Sequence, residues 1–508
     1  MSQIKAGVML NYIVILLNTI VGLLYTPYML RMLGQSEYGL YSLVASVISY
    51  LTILDLGFGN AIVRYTAKLK ANCKMQEQYE LFGMFFILYL IIGIIALIAG
   101  SALYLNVDSL FGNTMTVEEL NKAQIMILLL AFNLAITFPF SIFGSILTAY
   151  ERFIFPRIIN IIRIILNTVV MIILLKHGYK AITMVIVQTI FNIFTLILNY
   201  VYCKKKLKIK LYFRKFKWPL LKEVTIYSFW IFLNVIMDKI YWSTGQFILG
   251  AIIGTTAVAV FAVAIQLQHM YMQFSTAISG LFLPKITGIV TTGNNYKEIS
   301  DLFIKTGRIQ FIIISIILSG FIVFGKAFIN LWAGSGYENA YIICVFFFVS
   351  LAIPLIQNVG ITILQARNQM KFRSITYVLI AFAALFAQII LAKQWGEIGC
   401  AIAISGSLLI GQGLVMNVYY LRIQKLDILS FWKEIGKMSL IPTIITICAI
   451  AILQHISIYS WTDLITAIFI FSAIYLPLFW YFSMNKYERD LIKHPISKYY
   501  KRFSKPNN

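Results

Sequence analysis

Apolar runs of eighteen residues or more recur from one end of this 508-residue chain to the other. A helical run of that length crosses the ~30 Å hydrocarbon core of a bilayer. No water is available there, so each backbone N–H and C=O has to be paired within the segment, and a helix does this. Composition agrees: 60% of the residues are hydrophobic and 12% are charged, where a soluble domain carries about 25% charged residues. The chain reads as an all-α polytopic membrane protein. Its first apolar run, from Gly7 to Leu30, is too long for the core of a signal peptide and no small-residue cleavage site follows it, so it is expected to stay as the first span.

Fourteen transmembrane helices are expected, over 7–30, 39–62, 81–104, 123–148, 157–176, 181–203, 226–250, 256–281, 309–331, 340–365, 374–393, 398–421, 438–454 and 463–484. The joints between them carry turn and charge signals such as "RMLGQSEYG", "KHGYK", "WAGSGYEN" and "KQWGE". Alternate joints differ sharply in charge. With the N-terminus inside, 34 of the 42 Lys and Arg residues fall on the cytoplasmic side and 6 on the other. That bias places both termini in the cytoplasm of a cell-membrane protein. It also explains the net charge of +23 without nucleic acid: a basic run such as "KKKLKIKLYFRKFKW" is most simply a cytoplasmic loop beside anionic lipid heads. The five cysteines are scattered without CxxC spacing, which implies no disulfide or zinc framework.

An internal repeat divides the chain. "MLGQSEYGLYSLVAS" from Met32 aligns with "IIGTTAVAVFAVAIQ" from Ile252, pairing Gly34 with Gly254 and Tyr41 with Phe261. "FPFSIFGSILTAYERFIF" from Phe138 resembles "IPLIQNVGITILQARNQMKF" from Ile353, at nearly the same offset. The repeat distance is six spans, and an even number leaves both copies in one orientation. The expected organisation is an N-lobe (1–203), a basic cytoplasmic linker (204–222), a C-lobe (223–421), an appended helix pair (422–484) and a basic cytoplasmic tail (485–508).

Several stretches carry a family resemblance. The segment from Thr26 to Tyr65, the loop "ILTAYERF", "FILGAIIGTTAVAVFAVA" and "ILQARNQMKFRS" resemble polysaccharide-biosynthesis flippases. These are the oligosaccharide, or Wzx-type, branch of the multidrug/oligosaccharidyl-lipid/polysaccharide exporter superfamily. The resemblance covers essentially the whole chain. It implies a V-shaped pair of lobes, alternating access, and translocation of oligosaccharides linked to undecaprenyl diphosphate from the inner to the outer leaflet. Relatives often carry an acidic residue just before "FILG", where this chain has Gln246, and that departure argues against ion coupling through a carboxylate there.

Polar residues inside the spans are the candidate site. A charge at a helix centre costs about 2.5–3.5 kcal/mol on the insertion scale, yet Asp55, Arg163, Asp238 and Lys239 all lie within apolar segments. Asp238 and Lys239 are adjacent, so they point about 100° apart and cannot neutralise each other. Each needs its own partner or water, either an interhelical salt bridge or a hydrated cavity; the cavity is the reading adopted. Asn234, Asp238, Tyr241 and Gly245 share one face, the next span carries Gln266, His269 and Gln273, and the first carries Asn11, Asn18 and Tyr25 at steps of seven. The bland alternatives are specific too. Asp55 in "LDLGFG" equally suits a structural role, Arg163 and Arg64 suit snorkelling to the interface, and the stripe Gln188, Asn192, Thr195, Asn199 suits helix–helix contact. His269 is the one histidine within a span, too few for a metal site, and no cofactor is expected.

A sugar headgroup needs a wet passage of amides, hydroxyls and aromatics, and a diphosphate needs cations, for which Lys239, Arg163 and Arg64 are the candidates. The expected partners are that lipid-linked oligosaccharide, membrane lipids, and the glycosyltransferases and polymerase of the same pathway, with the chain itself a monomer. A multidrug or cation antiporter of the same superfamily is the alternative, and it would rest on Asp55 and Asp238. An enzyme is not expected: the longest outside loop, Leu105 to Lys122, is too short for a catalytic domain and no GxxxxGK[ST] motif is present.

Overall fold

A few helices begin at caps that the sequence supplies locally. In the computed structural model, which describes residues 3–213, 218–279, 286, 288–289, 295–367 and 369–491, Thr116 and Glu119 form a reciprocal capping box, as do Ser460 and Asp463. Asp427 caps the helix that follows it, and hydrogen bonds from Ser430 hold its carboxyl below the usual range.

The first half of the chain forms α1 (Gln3–Leu33), α2 (Gln35–Leu51), α3 (Phe58–Ala71), α4 (Met75–Leu105), α5 (Val107–Phe111), α6 (Val117–Ala149), α7 (Ile154–Lys176) and α8 (Ala181–Lys205). After the linker come α9 (Trp218–Trp242), α10 (Thr244–Ile252), α11 (Thr255–Ser279), α12 (Tyr296–Trp332), α13 (Glu338–Ile356), α14 (Val359–Ala366) and α15 (Met370–Leu408). A π-helical turn leads into α16 (Met416–Arg422), and α17 (Ile428–Leu453) and α18 (Trp461–Phe482) follow. The centre of the basic linker, the end of span 256–281, Lys285 and most of the basic tail lie outside the described residues.

Among the described residues, twelve segments are long and apolar enough to cross a membrane, against the fourteen expected. The difference lies in how the backbone is interrupted. The 53-residue segment Met370–Arg422 holds two expected spans, and non-helical Trp395 and Gly396 separate them inside α15, at the "KQWGE" signal. The expected span 226–250 is carried by α9 and α10, which break at Ser243. Span 39–62 is also broken: α2 ends in a 3-10 turn over Thr52–Asp55, then Leu56 and Gly57 adopt left-handed backbone before α3 restarts. Span 340–365 likewise divides into α13 and α14.

The repeat leaves a backbone signature. Gly34 and Gly254, paired in the sequence alignment, take φ of 81° and 124° and each precedes a helix of its copy. That left-handed region favours glycine, which has no Cβ to clash with the following carbonyl. Pro139 lies within α6 and Pro354 within α13, also at matching places.

Contacts sort the chain into two compact units, Met1–Val263 with Ser374–Ala403, and Ala264–Arg373 with Ile404–Asn508. The first unit therefore includes α9, α10 and the first turns of α11. Its apolar core gathers Phe58, Tyr65, Phe82, Phe85, Phe138 and Phe143 from α3, α4 and α6. In the second unit, Phe324, Met438, Leu464, Phe471, Tyr475 and Phe479 join α12, α17 and α18.

Candidate functional site

The adjacent charges lie near the C-terminal end of α9. Asp238 is exposed, while Asn234 and Lys239 are half-buried. Four residues beyond Lys239 the helix breaks, and hydroxyls tie the break to α2. Ser49 Oγ donates to Ser243 Oγ at 3.0 Å, the Tyr50 and Thr244 hydroxyls hydrogen-bond, and Thr244 Oγ1 reaches the Lys239 carbonyl at 3.3 Å. Gln246 is buried on α10. Beside this break a cavity of about 930 Å³ is lined mainly by apolar side chains, among them Leu103, Ile236, Ile240, Phe247 and Phe382, with Tyr50 and Thr244 at its wall.

A second cavity, of about 330 Å³, lies among α1, α2, α7 and α8 of the first unit and shares no lining residue with the first. Asn18, Tyr25, Tyr41, Arg163, Asn167 and Gln188 provide its polar wall. Tyr41 donates its hydroxyl to Gln188 Oε1 at 3.0 Å, and half-buried Arg163 donates from Nη2 to Asn160 Oδ1 at 2.9 Å. The Tyr25 hydroxyl and Asn167 Oδ1 are buried without a hydrogen-bond partner. An unmet buried polar atom costs about 1–3 kcal/mol, and both of these are covered by the protein around them.

Other predicted residues fall elsewhere. Asp55 sits in the 3-10 turn that interrupts span 39–62, where it accepts from Tyr89 Oη at 2.7 Å and from the Gly57 backbone. That geometry serves the backbone break. Arg64 is exposed on α3, and Asn11 is half-buried on α1. Gln266, His269 and Gln273 lie on the part of α11 that belongs to the second unit; His269 is exposed and the two glutamines are half-buried. The structure thus brings Asn18 together with Arg163 and keeps Asp238 and Lys239 on a separate helix. The stripe on α8 divides in role. Asn192 Nδ2 donates to Asn133 Oδ1 and Thr137 Oγ1, both at 2.8 Å, joining α8 to α6, while Gln188 faces the cavity.

Sequence reasoning missed Tyr41 as a cavity residue and the hydroxyl pairs at Ser243 and Thr244. Serine and threonine in an apolar helix are common, so nothing local distinguishes these. It also missed a polar network at the other end of α2. Glu37 pairs with Lys122, and Glu119 Oε1 accepts from Ser36 at 2.5 Å and from Thr255 at 2.8 Å. Its only sequence signal is the cluster of charges in "QSEYG" and "TVEELNK".

Comparison with known proteins agrees with this architecture. A family profile described as "Polysaccharide biosynthesis protein" matches residues 4–289. The chain is 20% identical over 498 residues to an uncharacterized membrane protein, EpsK, of Bacillus subtilis (strain 168), covering 95% of this chain and 96% of that protein. It is similar in structure to the lipid II flippase MurJ in an inward closed conformation, with a TM-score of 0.68 and 18% identity over 96% of this chain and 99% of that one. It is also similar to an inward-facing multidrug resistance MATE family transporter of the MOP superfamily, with a TM-score of 0.59 and 15% identity over 81% and 99% of the two chains. At such identities the solved structures establish a shared fold.

Proposed function

The chain belongs to the polysaccharide biosynthesis protein family, and from that premise we propose that it is a flippase for oligosaccharides carried on undecaprenyl diphosphate. It moves them from the inner to the outer leaflet of the cell membrane by alternating access of the two repeat lobes, 1–203 and 223–421, for capsule, exopolysaccharide or wall polymer. The observation that carries this reading is the family match across more than half of the chain. The chemistry of the helices is consistent with it. Asn11, Asn18, Asn234, Asp238, Lys239, Gln266, His269 and Gln273 supply amides and charges within apolar segments, as a hydrated glycan requires, and Arg64 stands at the end of its span for the diphosphate. The lipid tail needs no polar passage, because it stays in the bilayer. Genes for glycosyltransferases and a polymerase are the expected pathway partners.

The driving force follows from charge. A diphosphate carries roughly two negative charges out of an electrically negative compartment, and each gains about 2.3 kcal/mol per 100 mV, about 4.6 in all. Fixed cations return with the empty carrier and do not alter the sum. The test is liposomes holding the purified protein and a labelled lipid-linked glycan, clamped with potassium and valinomycin. An inside-negative potential is expected to accelerate flipping without a proton or sodium gradient, and Lys239→Ala with Asp238→Ala to slow it at least tenfold while folded protein is retained. Flipping that ignores the potential but follows an ion gradient, or counterflow of a cationic dye in place of the glycan, would favour the antiporter.

Orientation is tested separately. In a Cys73→Ser, Cys448→Ser background, which removes the two exposed cysteines, cysteines at Asn113 and Ser335 are expected to react with an impermeant thiol reagent from outside sealed cells, and one at Lys210 not to. Labelling at position 210 would reverse the assignment.

A further inference from the structure

We infer that the cavity beside the α9–α10 break is a binding site for the acyl chains of one membrane phospholipid. Its walls come from α2, α4, α9, α10 and α15, all within the first unit, and the inference does not depend on what the protein transports.

What can fill the space follows from its lining. Of the side chains around its 930 Å³, none is charged and three are polar. Two of these, Tyr50 and Thr244, hydrogen-bond to each other, and Asn106 Nδ2 donates to the Ala102 carbonyl at 2.8 Å. A water held in a cavity needs roughly two to four polar partners, and a hydrated sugar or ion needs more. An empty space of this size would cost more than the whole stability of a typical domain. Hydrocarbon is the filling these walls accept. Bilayer hydrocarbon also borders them, because α2, α4 and α15 lie in segments long and apolar enough to cross a membrane.

Position and size select the kind of chain. Asn106 is the first residue after α4, at the end of its span, and the lining runs back along the helix to Ala99. That stretch of helix rises about 10 Å, within the ~15 Å that one leaflet contributes to a ~30 Å core. A chain hanging from a headgroup at the Asn106 end therefore reaches the cavity floor without crossing the midplane. The volume is about six times the ~150 Å³ that accommodates one six-carbon benzene ring, which makes room for ~36 carbons. That suits the two chains of a phospholipid, the lipid a bilayer supplies in greatest excess.

Ordinary lipid contact is different. Phe469 on α18 is 72% exposed on an apolar helix, and chains there exchange freely. The cavity is open at Ala102 and Phe382, both exposed, but helices enclose the rest, so a bound chain gains dispersion contacts on several sides.

The test titrates the purified, delipidated full chain in maltoside micelles with phosphatidylcholine that carries a diazirine in one acyl chain. After illumination, adducts within residues 99–106 and 236–247 are expected to saturate near one probe per protein, at a probe concentration at least fivefold lower than adducts around Phe469. Ala102→Trp fills the space and should reduce the cavity adducts at least tenfold, while those at Phe469 persist and the melting temperature does not fall. Cavity adducts that rise in step with those at Phe469 would reduce the site to ordinary lipid contact and overturn the proposal. Competition by a polyprenyl phosphate tenfold stronger than by unlabelled phosphatidylcholine would overturn the choice of lipid. In the Cys73→Ser, Cys448→Ser background, Ala102→Cys should react with an apolar maleimide at least tenfold faster than with a charged thiol reagent; equal rates would show a wet cavity and sink the idea. Should Ala102→Trp not fold, the wild-type titration decides alone.

Discussion

Arg308→Met is expected to cost about 3–5 kcal/mol of stability, the range found when one partner of a buried ion pair is removed. Arg308 is 5% exposed and Glu488 only 2%. The guanidinium meets Glu488 through two parallel hydrogen bonds, Nε to Oε1 at 2.5 Å and Nη2 to Oε2 at 3.0 Å. Nη1 also donates to Glu434 Oε2 at 2.8 Å, and Nη2 to the Ser483 carbonyl at 3.3 Å. One side chain therefore joins α12, α17 and the segment beyond α18. Methionine matches much of its volume but leaves Glu488 charged and without its counter-ion. The double variant Arg308→Met, Glu488→Leu removes both charges and is expected to regain most of the loss. Thermal unfolding of purified protein checks this. A single variant as stable as the double would show that the pair is not desolvated.

The second large effect is expected at Gly39. A Cβ there would lie 1.8 Å from the Thr255 carbonyl oxygen and 3.2 Å from the Ala259 nitrogen. Both obstacles are backbone, so no side-chain rotation relieves the clash, and α2 must part from the start of α11. The surrounding hydrogen bonds, Thr255 to Glu119 and Thr114 Oγ1 to the Gly250 carbonyl at 2.6 Å, would strain with it. Gly39→Ala is expected to cost about 2–4 kcal/mol. The control is Gly144→Ala on α6, where nothing lies within 4 Å of the added carbon. That change should be neutral or stabilising, because alanine gives up less backbone entropy in a helix. Equal melting temperatures for the two alanine variants would refute the close approach.

The amino-acid sequence by itself determined the spans, their joints and the repeat. Span length follows from bilayer thickness and backbone pairing, both local requirements that each segment meets alone. Gly34 and Gly254 were legible as a pair because left-handed backbone restricts the residue type at that one position. The break at Trp395 and Gly396 announced itself through polar and glycine residues in a row. Tertiary structure decided which polar residues meet. Arg308 and Glu488 are 180 positions apart and Tyr41 and Gln188 are 147 apart, and no local periodicity encodes such a pairing. In lipid the usual guide fails as well. Tails are as apolar as leucine, so hydrophobicity marks a helix as embedded without telling which of its faces meets another helix. Asn192 and Gln188 sit one turn apart on the same helix, equally polar in sequence, yet one joins α8 to α6 and the other faces a cavity. Their difference comes from close packing of neighbours chosen by the whole fold, and only the assembled helices express it.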